Sequence, residues 1–146
     1  MQIAIAEARS LLEAAMAAVG HSADDARIIA DHLMDCELRG VQFGGLPRAL
    51  SIVERIQGRP DRRVPLKVTH ETPVSAFVEG GDQVGYLVAH KAVSLAIDKA
   101  KQNGIGIVGA NDTWYTGMFS YYMEMAAKAD LVSMAIGNAS PRVAPF

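Results

Sequence analysis

The feature that most constrains this chain is a change of rhythm near residue 74. "VSAFVEG" at 74–80 is rich in β-branched and aromatic residues and reads as a strand ending at Gly80-Gly81. "GYLVAHKAVSLAIDKAKQ" at 85–102 places Val88, Ala92, Leu95, Ala96 and Lys99 on one helical face, and Asn103-Gly104 ends it. "IGIVGA" at 105–110 reads as a buried strand, 117–129 as a helix, and "LVSMAIGN" at 131–138 as a further strand. Strand, helix, strand, helix, strand is the order of an α/β layer structure, here expected as a mixed sheet with flanking helices.

The first third of the chain has a different character. Ala8, Leu11, Leu12, Ala15, Met16 and Val19 recur at helical spacing and Gly20 is a natural stop. Ser22 is placed to cap a second helix, with Asp24 and Asp25 facing its positive end and Arg39-Gly40 closing it. A third helix is expected over 46–57, with Pro47 tolerated in its first turn. "GRPDRRVPLKV" follows, polar, basic and holding two prolines, and reads as an exposed connector or a phosphate contact. The expected division is a helical segment over 1–60 and an α/β segment over 61–146.

With 146 residues, half of them hydrophobic, the chain suits one core. A net charge of −2 gives no broad basic surface, which disfavours a nucleic-acid partner. No apolar run has the length of a membrane span, and Glu7, Arg9 and Glu13 interrupt the N-terminal one. Cys36 has no cysteine to pair with, which suits a reducing cytoplasm.

Chemistry is expected in two places. "RGVQFGGLPR" at 39–48 joins two helices through three glycines, and Arg48 follows in the first turn of the next helix. An arginine there can grip a carboxylate with its planar fork, or be a solvated residue of a plain helix–helix turn. "NDTWYTGMFSYY" at 111–122 holds the only Trp and three of the four Tyr at a strand-to-helix junction, where α/β sheets gather ligands. Tyr115 and Thr116 offer hydroxyls and Gly117 lets a substrate approach. Alternatively Trp114, Phe119, Tyr121 and Tyr122 are core and interface residues. The glycines of "GIGIVGA" bracket a strand instead of following one, so a Rossmann phosphate loop is not expected. His21 and His70 read as loop residues, His32 and His90 as surface or packing positions within helices, and no pair has metal-ligand spacing.

Together, "LMDCELRGVQFGGLPRAL", "AHKAVSLAIDKAKQNGIGIVGANDT" and "GMFSYYMEMAAKADLVSMAIGNASPRVAP" resemble the malate/L-lactate dehydrogenase family, the NAD(P)-dependent group unrelated in fold to the Rossmann lactate and malate dehydrogenases. Its relatives include ureidoglycolate dehydrogenase, diketogulonate reductase and the cyclic imino-acid reductases. The family's Gly-Val-x-Ser-His-Gly-x-x-Arg segment is met by Gly40, Val41, Gly45 and Arg48, with Phe43 and Gly44 at the Ser and His positions. Its Asn-Ser-x-His-Phe-Gly segment with paired Tyr is met by Gly117, Tyr121 and Tyr122, with Tyr115 at the proton-transferring His position.

The resemblance implies hydride transfer between NAD or NADP and a small 2-hydroxy or 2-oxo acid. It implies Arg48 and Tyr115 as catalytic, Arg48, Thr116 and Asn138 as substrate-binding, and Gly117 and Tyr121 as cofactor-binding. It further implies a cytoplasmic homo-oligomer, a dimer in the family. Family members run to more than twice this length. The chain is therefore expected to resemble the N-terminal part of a larger fold, to expose apolar surface, and to lack activity alone. Two readings stand: Tyr115 replaces the histidine, or this is a truncated or non-catalytic chain that keeps a family oligomerisation surface.

Overall fold

The structure is a computed structural model and describes residues 3–138. The "ASPRVAP" part of the resemblance, at 139–145, lies outside the described residues. Three helices come first: α1 (Ile5–Ala18), α2 (Ala23–Leu38) and α3 (Arg48–Gln57), with a 3-10 turn at Gln42–Gly44 before α3. Ser22 caps α2 as expected, its hydroxyl accepting from the Asp25 amide at 3.1 Å. β1 (Lys67–Thr69), β2 (Ser75–Val84), α4 (Gly85–Asn103), β3 (Ile107–Trp114) and α5 (Phe119–Ala127) follow. Gly104 ends α4 at φ 82°, a left-handed cap.

The sheet is mixed, in the order β1-β2-β3. β1 runs antiparallel to β2, while α4 carries the chain across so that β3 joins β2 in parallel. β1 lies at the end of the segment expected as a connector; its prolines and basic residues mask a short edge strand.

Three strand expectations are corrected. Gly80-Gly81 does not end β2. Pairing with β3 runs from Ser75↔Ile107 to Glu79↔Asn111, shifts register, and resumes at Gln83↔Thr113. The glycines permit this bulge: a Cβ on Gly80 would sit 2.5 Å from the Asn111 carbonyl oxygen, and Gly81 has φ 61°. Second, β3 is not buried at its start, where Ile107 is 61% exposed, and it continues through Trp114. Third, 131–138 forms no strand. It is irregular, with Val132, Met134 and Ile136 almost fully exposed. Alternating apolar residues become a strand only when a neighbour takes their backbone groups, and among the described residues none does.

The main core joins Leu12 and Met16 of α1, Ile29 and Leu33 of α2, Ile52 of α3 and the β2–α4 junction at Val84 and Leu87. Burying each large side chain contributes about 1.5–3 kcal/mol. Val78, Val88 and Ala92 form a smaller cluster between β2 and α4. Trp114, the last residue of β3, packs against the main core and brings the end of the sheet onto the helices. Among the described residues no helix is long and apolar enough to cross a membrane.

Candidate functional site

The site lies where α3 faces the end of β3. Arg48, Ser51 and Arg55 stand at i, i+3 and i+7, one face of that helix. The two aromatic residues at the strand end each receive one of the arginines. The Arg48 guanidinium carbon lies 4.5 Å from the Tyr115 ring centre, and that of Arg55 lies 4.6 Å from the Trp114 ring centre. The two rings meet edge to face, 5.3 Å apart. An open cleft of about 420 Å³ is lined by Tyr115, Ser51, Glu54, Arg55, Gly58 and Arg59.

The two arginines differ in what else holds them. Arg55 reaches Asp82 at 3.2 Å, and Trp114 donates from Nε1 to the Asp82 carbonyl at 2.9 Å. That knot belongs to the architecture of the β2 bulge. Arg48 is half-buried and has no carboxylate partner among the described residues. Its fork is available to an anion from solution.

Tyr115 begins the turn into α5 in a left-handed conformation, φ 53°, and Gly117 follows at φ 78°. Two side chains hold the turn. The Tyr122 hydroxyl donates to the Thr116 carbonyl at 2.7 Å, and His32 Nε2 accepts from the Met118 amide at 3.0 Å. A Cβ on Gly117 would collide with the His32 ring at Nε2 and with Tyr86. The glycine therefore serves close packing of the turn on α2 and α4. Tyr121, half-buried, also faces inward: its ring centre is 4.5 Å from that of His32. Asn138 is exposed at the end of the irregular segment and makes no side-chain hydrogen bond among the described residues. The structure thus brings Arg48 into contact with Tyr115, which lines the cleft, sets Thr116, Gly117 and Tyr121 around the turn, and leaves Asn138 outside this set.

His32 is buried at 1% exposure, packed against Tyr86, Tyr121 and Tyr122. Burial lowers it to about 4, with Asp35 pulling the other way. His21, expected as a loop residue, is buried in the α1–α2 loop, and Arg63 lies 3.0 Å from its Nε2. Burial and then the Arg63 charge lower it to about 4 as well. Burial pushes the Tyr86 phenol up to about 12 against the pull of Arg48. Cys36 is buried and free, its thiol pushed up by burial.

Sequence reasoning missed Arg55, Ser51 and Arg59 as cleft residues and His32 as the anchor of the turn. The i, i+3, i+7 polar stripe on α3 was the available signal for the first two. The contact between His32 and Met118 joins residues 86 apart and leaves no local trace.

Comparison with known proteins defines the class. The sequence profile of the malate/L-lactate dehydrogenase family matches residues 3–146. Malate/(S)-sulfolactate dehydrogenase of Methanothermus fervidus is 37% identical over 147 aligned positions, covering 100% of this chain and 43% of the relative. Malate dehydrogenase of Pyrococcus abyssi is 35% identical, covering 87% of this chain and 35% of that one. The solved malate dehydrogenase from Pyrococcus horikoshii OT3 superposes with a TM-score of 0.82 at 31% identity, covering 88% of this chain and 37% of that one. The chain belongs to the malate/L-lactate dehydrogenase family, and it spans about two-fifths of the length of the relatives it matches.

Proposed function

We propose that this chain carries the substrate end of an NAD- or NADP-dependent 2-hydroxy acid dehydrogenase, with Arg48 and Tyr115 at its centre. The observation that supports this most is the half-buried Arg48, free of carboxylate partners among the described residues and stacked on the Tyr115 ring at 4.5 Å. Arg48 holds the carboxylate of the 2-hydroxy or 2-oxo acid through paired N–H donors. The Tyr115 hydroxyl gives a proton to the 2-oxo oxygen in reduction and takes it back in oxidation. Thr116 and, less directly, Asn138 add polar contacts to the substrate.

The glycines of 104–109 do not form a phosphate loop. A Cβ on Gly106 would collide with the Ala96 carbonyl, and one on Gly109 would lie 2.9 Å from the Phe77 ring. Those glycines serve packing of β3 against α4 and β2, not phosphate approach. Gly117 and Tyr121 likewise face inward, so their proposed service to the cofactor is through the shape of the turn. The boundary near residue 60, a cytoplasmic location and a homodimer complete the reading.

The test is Tyr115→Phe in the full-length protein. Turnover should fall by two or more orders of magnitude, about the size of a lost general acid. Turnover within a few-fold of the wild type removes Tyr115 from the mechanism.

A second reading, a non-catalytic chain that associates through family surfaces, is supported by the exposed Phe43, Leu50, Val132, Met134 and Ile136. NADPH fluorescence separates the two: enhancement and a blue shift on adding the protein favour the enzyme. A sizing column that gives a clean, well-folded monomer counts against association.

A further inference from the structure

We propose that His32 is a positioning residue that holds the 115–118 turn in its left-handed conformation and so aims Tyr115 at the cleft beside Arg48. Its functional meaning rests on the reading of Tyr115 given above; its structural content does not. The turn departs from ordinary backbone at Tyr115, φ 53°, where a bulky residue costs about 1–3 kcal/mol unless the surroundings impose it. Two contacts impose it here. Tyr122 fixes the Thr116 carbonyl from the α5 side, and His32 fixes the Met118 amide from α2.

The histidine is suited to this task in its neutral form alone. Because Nε2 accepts from Met118, the ring proton sits on Nδ1. A second proton on Nε2 would turn the acceptor into a donor facing another donor. The surroundings disfavour that proton: Tyr86 from α4 and Tyr121 and Tyr122 from α5 enclose the ring. Asp35, on the same helix, is the charge that favours protonation, and Arg39 engages it at 2.8 Å while also pairing with Glu124 of α5. Gly117 completes the fit, since any side chain there would displace the ring.

The experiment measures amide hydrogen exchange together with steady-state kinetics on the full-length protein carrying His32→Phe or His32→Gln. His32→Phe removes the acceptor and keeps the apolar packing. It should speed exchange at Met118 tenfold or more, leave α1 amides unchanged, and lower kcat with KM little altered. His32→Gln, whose amide oxygen can accept from Met118, should recover most of the protection and part of the turnover. Unchanged Met118 exchange in His32→Phe, or equal loss across α1 and α3, overturns the proposal.

If His32→Phe does not fold, the wild type decides. The Met118 amide resonance should titrate together with the His32 ring, and independent titration overturns the clamp. Tyr115→Phe separates the two ideas. It should keep Met118 protection; if turnover also stays intact, Tyr115 leaves the mechanism while the clamp stands.

Discussion

The two turns that deliver Arg48 and Tyr115 solve the same geometric problem with opposite means. The 39–48 turn uses glycine where the backbone turns left-handed, at Gly40 with φ 77°, and its other residues keep negative φ. Its tightest point, Gly45, lies against Glu37, whose carboxylate accepts from the Leu46 amide at 3.0 Å. The 115–118 turn places a tyrosine in the left-handed region and holds it there with side chains from α2 and α5. Among the described residues four other non-glycine residues share that region, His70, Asp82, Asp112 and Asp130, all of types that tolerate it better than tyrosine. The relaxed turn delivers Arg48 at the start of a helix. The strained one delivers Tyr115. Left-handed strain falls on the residue proposed to move the proton and not on Arg48, which points to the second turn as the more specialised element.

The sharpest way to break the comparison is Gly117→Ala. The methyl group would overlap the His32 and Tyr86 rings, and φ 78° is unfavourable for alanine as well. A loss of about 3 kcal/mol is expected from overpacking and backbone strain together, read as a drop in the denaturant midpoint. A loss below about 1 kcal/mol would mean that α5 slides away and that the turn is not tightly held.

Acid comes next, because it acts on the clamp and on the α1–α2 loop. His21 and His32 both sit at about 4 when folded, below the ordinary 6.5. Between those values the unfolded chain binds more protons, so stability rises with pH across the window and levels off above about 6.5. The loss on going down to pH 4 is on the order of a few kcal/mol for the two together. Thermal melts at pH 7.5, 6 and 4.5 measure it. A Tm that is flat over this range would mean that the two rings are not shielded from solvent.

Gly45→Ala probes the relaxed turn. No left-handed penalty applies at φ −89°, so the main cost is the displaced Glu37 side chain and its bond to Leu46, about 1–2 kcal/mol. A larger effect than that of Gly117→Ala would reverse the ranking of the two turns.

The helices were legible because their signals are local. Ser22 and Gly104 stand at the ends of periodic apolar stripes, and those ends fell within a residue or two of expectation. The strands were less so, because a strand is defined by its partner. Gly80-Gly81 looks like a terminator in isolation and becomes a bulge only when Asn111 and Asp112 lie alongside. The alternating apolar run at 131–138 has the pattern of a strand without a neighbour to make it one. The site followed the same division. Arg48 and Tyr115 could each be singled out from their turns, but their contact across 67 positions of sequence could not. Nor could the role of His32, which looked like ordinary packing because its partner is a backbone amide in a distant turn.

The smallest effect is also the most discriminating. Tyr115→Gly removes the side chain and the left-handed penalty together. If the strain is real, the backbone should gain roughly 1 kcal/mol from its relief. Two losses oppose this gain: the stacking of Arg48 on the ring, about 0.5–1 kcal/mol at a partly exposed site, and the extra freedom of glycine in the unfolded chain, of similar size. The net change should therefore lie within about 1 kcal/mol of zero, while turnover falls at least as far as in Tyr115→Phe. A residue whose removal leaves stability nearly unchanged and abolishes turnover is held in place for its chemistry. A loss of 2 kcal/mol or more would instead make Tyr115 a structural cap on the end of β3. The strain would then be incidental to catalysis, and the two turns would differ only in how they were built.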